Sequence, residues 1–287
     1  MTRFVFSASD PLKGAMLLAL CMGVSLGINV KAQTLKPLAL EFEGSKVFGN
    51  QRLLEIATKC RAESASSTAQ DETVVEYCLH KVKSFMASNG YLQATVGKPI
   101  STTTEAGILL RVPVTEGALF RLQEVRIDGA TAFPPARLRE MLKLKTGDIA
   151  NADAINEWLF DAIKKAYSER GYVQYTAEVE PDFQLLQGSI EGTVDLAITI
   201  DEGRRFYVRS IHFDGNGDVP ESLLVAQMLI QSGDVYNSEL LKQSLARIDQ
   251  TRQFETIDFD KDLDYRTAQN SQQIDLIVHL KKKRPPT

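Results

Sequence analysis

Apolar and polar positions alternate with a period of two in some stretches and recur every three or four residues in others. The two patterns follow one another in the same order three times along the chain. Alternation opens each cycle with Leu40 and Phe42, Val125 and Ile127, then Ile211 and Phe213, each pair separated by a polar residue, as a strand with one buried face requires. Gly44, Gly129 and Gly215 follow as turns. A short helix is predicted next, begun at Pro134 and Pro220 in the second and third cycles, with Leu138, Met141 and Leu142, and Leu224, Met228 and Leu229, on its inner face. A Gly-Asp turn (Gly147-Asp148, Gly233-Asp234) leads to Asn151 and Asn237, suited to cap a second helix. That helix carries Val75, Leu79, Val82 and Met86 in the first cycle, Ile155, Leu159 and Ile163 in the second, and Leu241, Leu245 and Ile248 in the third, one buried stripe each time. Gly90-Tyr91 and Gly171-Tyr172 end it, whereas the third cycle has Arg252-Gln253-Phe254. Two strands close each cycle, at 92–96 and 108–114, 173–179 and 194–200, and 256–263 and 274–280.

This periodicity is an internal repeat. Glu116-Gly117-Ala118-Leu119-Phe120 returns 86 residues later as Glu202-Gly203-Arg204-Arg205-Phe206, and Pro134 and Pro220, Gly147 and Gly233, and Asn151 and Asn237 keep the same spacing. A looser first copy lies 85 residues earlier at Gly44 and 81 earlier at Gly90. The prediction is an α+β fold of three tandem βααββ units at 36–117, 118–203 and 204–283, each a three-stranded mixed sheet covered on one face by two helices, with 284–287 as a tail. Glu116, Gly117, Glu202 and Gly203 are expected to set the turns between units, and Arg204 and Arg205 either to touch the neighbouring unit or to be solvated.

Charge narrows the function. Lys and Arg number 33 against 37 Asp and Glu, a net charge of −4, so no basic field exists to hold nucleic acid phosphates. His80, His212 and His279 are scattered and Cys number 3, too few and too dispersed for a metal cluster. Neither a nucleophile elbow, a phosphate-binding glycine loop nor a metalloprotease helix motif is present, so no catalytic residue, metal, cofactor or small-molecule substrate is expected, and the chain is not read as an enzyme. Arg3 and Lys13 precede an apolar run at 15–28 and a Val30-Lys31-Ala32 site, which reads as a secretory signal peptide over 1–32, cleaved before Gln33. Retention of this segment as a membrane anchor is the alternative. In an oxidising compartment Cys60 and Cys78 are either a disulfide or two buried thiols.

The βααββ order, the Glu-Gly-x-x-Phe/Leu junctions, the Gly-Asp element between helices and the Gly-Tyr after the second helix together resemble the POTRA family, the polypeptide-transport-associated domains of outer-membrane assembly proteins, over about residues 36–283. The resemblance implies a periplasmic tandem that passes unfolded outer-membrane proteins toward a β-barrel or docks partner lipoproteins. After the third unit the chain continues with Lys281, Lys282, Lys283 and Arg284 where earlier units have Glu-Gly, so no further unit or barrel is expected here and the expectation is a scaffold or docking module in outer-membrane protein assembly or secretion, with unfolded outer-membrane proteins or a separate β-barrel or lipoprotein as partner. The basic run is read as a solvated tail or a weak contact with anionic headgroups. In the family the second strand accepts an added strand, which selects Thr95 and Val96, Tyr175, Ala177 and Val179, and Ile257 and Phe259 as partner-binding edges. Asp258, Asp260, Asp262 and Asp264 crowd the third edge, so the first and second are expected to be the better acceptors. A membrane-anchored structural protein of the cell-division type is the alternative reading.

Overall fold

The computed structural model describes residues 38–64, 72–185, 188–267 and 271–283; the proposed signal peptide at 1–32 and the tail at 284–287 lie outside them. Unit 1 contains β1 (Leu38–Glu43), α1 (Gly49–Glu63), α2 (Glu72–Ser88), β2 (Thr95–Val96), β3 (Ile100–Thr104) and β4 (Gly107–Thr115). Unit 2 contains β5 (Leu119–Asp128), α3 (Pro135–Glu140), α4 (Ala152–Asn156) continuing through a π-helical stretch (Glu157–Ile163) into α5 (Lys164–Ser168), then β6 (Thr176–Leu185) and β7 (Glu191–Asp201). Unit 3 contains β8 (Tyr207–Asp214), α6 (Glu221–Val225), α7 (Ser238–Gln250), β9 (Leu263–Thr267) and β10 (Gln273–His279).

In every unit the last strand is central, parallel to the first and antiparallel to the second, giving the orders β5-β7-β6 and β8-β10-β9. Unit 1 differs: its second strand is broken across Gly97, Lys98 and Pro99 into β2 and β3, both paired with β4, with the register shifted by one residue across the break. Three separate cores result, around Phe42, Leu53, Val82 and Val112, around Phe120, Leu159, Tyr167 and Ile198, and around Phe206, Leu245, Phe254 and Leu276.

Local chemistry repeats with the fold. Asn151 Oδ1 accepts from Ala154 N at 2.9 Å, and Asn237 Oδ1 from Glu239 N and Leu240 N at 3.0 Å each, capping both second helices as expected. The first strands of units 2 and 3 carry a bulge at the same place, beside Leu122 and Val208. The bulge carbonyls of Gln123 and Arg209 accept from Thr146 Oγ1 and Ser232 Oγ, and Asp148 and Asp234 fold back onto the N–H groups of Lys145 and Gln231. The Gly-Asp element therefore pins a bulge. Gly129 and Gly215 pass against the carbonyls of Ile200 and Leu280, where a Cβ would overlap the oxygen. In the structure Cys60 and Cys78 form a disulfide, with Cα atoms 5.6 Å apart, that ties α1 to α2.

The units are joined in the same way twice. Gly90 O accepts from Phe120 N at 2.9 Å and Gly171 O from Phe206 N at 2.8 Å, so the end of each second helix starts the next sheet. Leu92 and Val173, read above as strand residues, instead pack against the core of the following unit. Arg205 does reach its neighbour, donating from Nε to Arg170 O at 3.2 Å.

Candidate functional site

A sheet edge accepts a strand only where its outward N–H and C=O groups are unpaired. The first-strand edges are covered in part by the chain itself. Phe42 N donates to Asn50 Oδ1 at 2.8 Å on β1. On β5, Leu122 N donates to Asp148 O and Phe120 O accepts from Ala150 N; on β8, Val208 N donates to Asp234 O and Phe206 O accepts from Tyr236 N.

The second-strand edges are different. At one end of β7, Ile190 O accepts from Leu119 N, and at the other Ile200 O lies against Gly129, so even-numbered residues turn their backbone groups toward β5. The pairs Ala177↔Ile200, Val179↔Ile198, Pro181↔Leu196, Phe183↔Val194 and Leu185↔Gly192 are then the ones whose β6 members point outward. Among the described residues none bonds to those groups. The same argument from Gly97 N donating to Pro113 O turns Val96, Ser101 and Thr103 outward in unit 1. In unit 3, His279 N donating to Asp262 O leaves Leu263, Tyr265 and Thr267 outward.

Of the residues selected from the sequence, Thr95 and Val96 lie on β2 and Ala177 and Val179 on β6. Tyr175 does not: it precedes β6, is buried, and stacks on Tyr167 with ring centroids 4.9 Å apart. Its hydroxyl is buried with no described partner, and burial raises its pKa. Ile257 and Phe259 are not on a strand either. Asp249 Oδ1 accepts from Ile257 N, Asp262 Oδ2 from Asp258 N and Asp258 Oδ1 from Asp260 N, and these side chains wrap the backbone into a turn ahead of β9. The expected run of charge on the third edge is therefore a turn, with Asp264 alone of those four aspartates on β9.

The second-strand edges of units 2 and 3 each border a groove. One of about 320 Å³ runs between α2 (His80, Lys83, Ala87) and Val179, Pro181 and Phe183. A counterpart of about 480 Å³ lies at the next junction among Phe160, Lys164, Lys242, Phe259 and Tyr265. A wider cleft of about 800 Å³ over Cys60 and Tyr77 is walled by α1 and α2, whose backbone groups are spent within the helices.

Glu116 and Glu202 hold their own units together as well as ending them. Glu116 Oε1 accepts from Lys46 N and Val47 N at 3.0 and 3.1 Å and from Ser45 Oγ. Glu202 accepts from Thr131 N at 2.7 Å, Ala132 N at 2.8 Å, Tyr167 OH at 2.7 Å and Thr131 Oγ1. Burial pushes both carboxyls up, but these donors outweigh it and leave both below the ordinary value. Lys282 occupies the matching place in unit 3, and its Nζ pairs with Asp218 at 2.7 Å. Lys281 pairs with Asp262 at 2.9 Å, so this part of the basic run is tied to the unit. On the outer face of unit 3, hydrogen bonds from Arg209 and then Ser210 hold Asp275 at about 2.

No group of three or more His, Cys, Asp or Glu side chains among the described residues could hold a metal ion, and no described helix is long and apolar enough to cross a membrane.

The comparisons agree with this architecture. A family model for POTRA, described as the surface antigen variable number repeat, matches residues 120–203 and 206–283. An outer membrane protein assembly factor of Treponema pallidum is 26% identical over 249 residues, 85% of this chain and 29% of the relative. Outer membrane protein assembly factor BamA of Neisseria meningitidis is 25% identical over 252 residues, 83% of this chain and 30% of the relative. The chain thus spans about 30% of the length of these curated relatives. The crystal structure of Haemophilus influenzae BamA POTRA3-5 superposes with a TM-score of 0.64 at 24% identity, covering 86% of this chain and 96% of the other, a likeness of fold. Two adjoining family matches that together exceed half of the sequence, on units with one strand order and one kind of junction, make the chain a member of the POTRA family.

Proposed function

We propose that the chain is a periplasmic docking or scaffold module of outer-membrane protein assembly or secretion, exported by the segment at 1–32. In this reading it holds extended segments of unfolded β-rich clients, or of a barrel or lipoprotein partner, by strand addition at β6 and at β2. One observation carries it: among the described residues the outward backbone groups of β6 from Ala177 to Leu185 have no partner and lie beside a groove, whereas the start of each of β5 and β8 is bonded by the chain itself. Main-chain hydrogen bonds tolerate many client sequences. The relatives named as outer membrane protein assembly factors support the setting.

The test is photocrosslinking in cells from Thr95 and Ala177, with Ala154, on a helix, as control. Capture of outer-membrane proteins or their assembly partners from the two strand positions is expected. Equal capture from all three positions, or capture of abundant soluble proteins alone, would count against strand addition. Intact mass beginning at Gln33 is the expected result for export.

A further inference from the structure

Pro181 stands apart from every other outward-facing residue of the second-strand edges. Opposite Leu196 its ring fills the place where an N–H would project, so the outward row from Ala177 to Leu185 keeps donors at four of five positions, two on either side of the ring. The matching residue in unit 3 is Tyr265, opposite Leu276, which retains its N–H. The fold does not call for the proline. The register of β6 against β7 is unbroken from Thr176 to Leu185, and Pro181 is half-buried on the groove wall between Val179 and Phe183.

We infer that Pro181 is a specificity-determining residue of the β6 edge, dividing it into two short clamps, 177–179 and 183–185, that an extended client engages one at a time. The inference rests on the strand-addition reading of β6. A client crossing both clamps would bring a carbonyl against the proline ring and find no donor there, so it must kink or stop. Pairing over two or three residues is marginal in water. The favoured partner is therefore an extended, unfolded segment that is held briefly and passed on. A preformed long strand would be disfavoured.

The experiment uses the full chain and a peptide of about twelve residues, the length of a long strand, alternating threonine and valine between lysine ends. A copy N-methylated at alternate residues, which cannot donate, is the control. Binding is read by fluorescence anisotropy and by hydrogen exchange of the β6 amides. Pro181→Val is expected to bind about tenfold tighter than the natural chain, from the restored donor and the joined clamps, and to protect the amides of 177, 179, 181, 183 and 185 together. The natural chain protects one clamp only. Ala177→Pro in the Pro181→Val background should return binding to the natural level. Binding by the natural chain with no gain in Pro181→Val overturns the role of the proline and leaves strand addition standing. Absence of binding to both, or equal binding of the N-methylated copy, removes strand addition and this inference with it.

Discussion

Glu202 exchanges water for four protein donors, from Thr131, Ala132 and Tyr167, at a site only 9% exposed. Truncating it strands these donors in the interior, and Glu202→Ala should cost about 3 kcal/mol in urea unfolding. Its depressed pKa fixes the sign of the pH effect. The stabilisation is complete above the ordinary value of 4.5 and is lost as pH falls through the lowered folded value, and Glu116 acts alike. An acid titration of the urea midpoint should flatten in the Glu116→Gln, Glu202→Gln double variant. His279 has the opposite sign. Its ring nitrogens lie 3.1 Å from Asp264 and 3.3 Å from Asp214, and the hydrogen bond to Asp264, above all, raises its pKa from 6.5. The stability it adds is full below pH 6.5 and disappears as pH rises through the raised value, so His279→Asn should lose the midpoint change above that pH and keep the acid one.

Helix ends show how a repeat position can be kept or lost. Gly90 and Gly171 adopt φ of 90° and 91°, and at the same place Arg252 takes φ 59°, the single positive value among described non-glycine residues. Arg252→Gly should therefore stabilise unit 3 by about 0.5–1 kcal/mol, the left-handed penalty less the entropy of glycine. Urea midpoints of the two chains test this. The missing Gly-Tyr at 252–254 was visible in the sequence, as were both asparagine caps and the alternation of every central strand, because each depends on residues close in the chain. Three features were not. The π-helical stretch at Glu157–Ile163 carries no proline or glycine to mark it. The apolar-acidic alternation around Ile257 and Phe259 imitates a strand, whereas the aspartates there bond their own backbone. Tyr175 fits a strand pattern equally well, and only the packing of Tyr167 against it reveals a core residue.

Three cores in series mean that local damage should stay local to a first approximation. The Cys60–Cys78 bridge spans 18 residues of unit 1 and should contribute about 3 kcal/mol there through the unfolded chain. Cys60→Ser with Cys78→Ser is expected to lower one thermal transition and leave those of units 2 and 3 nearly unchanged, as followed by hydrogen exchange of β4, β7 and β10. The junctions limit this independence in one direction. Gly90 can present its carbonyl to Phe120 only when α2 has completed its last turn, and Gly171 stands in the same relation to Phe206. A chain delivered amino end first would thus meet, at each boundary, a finished template for the strand just arriving, whereas delivery from the other end would offer none. Assembly of the tandem is in that sense polarised, seeded by the unit that emerges earliest.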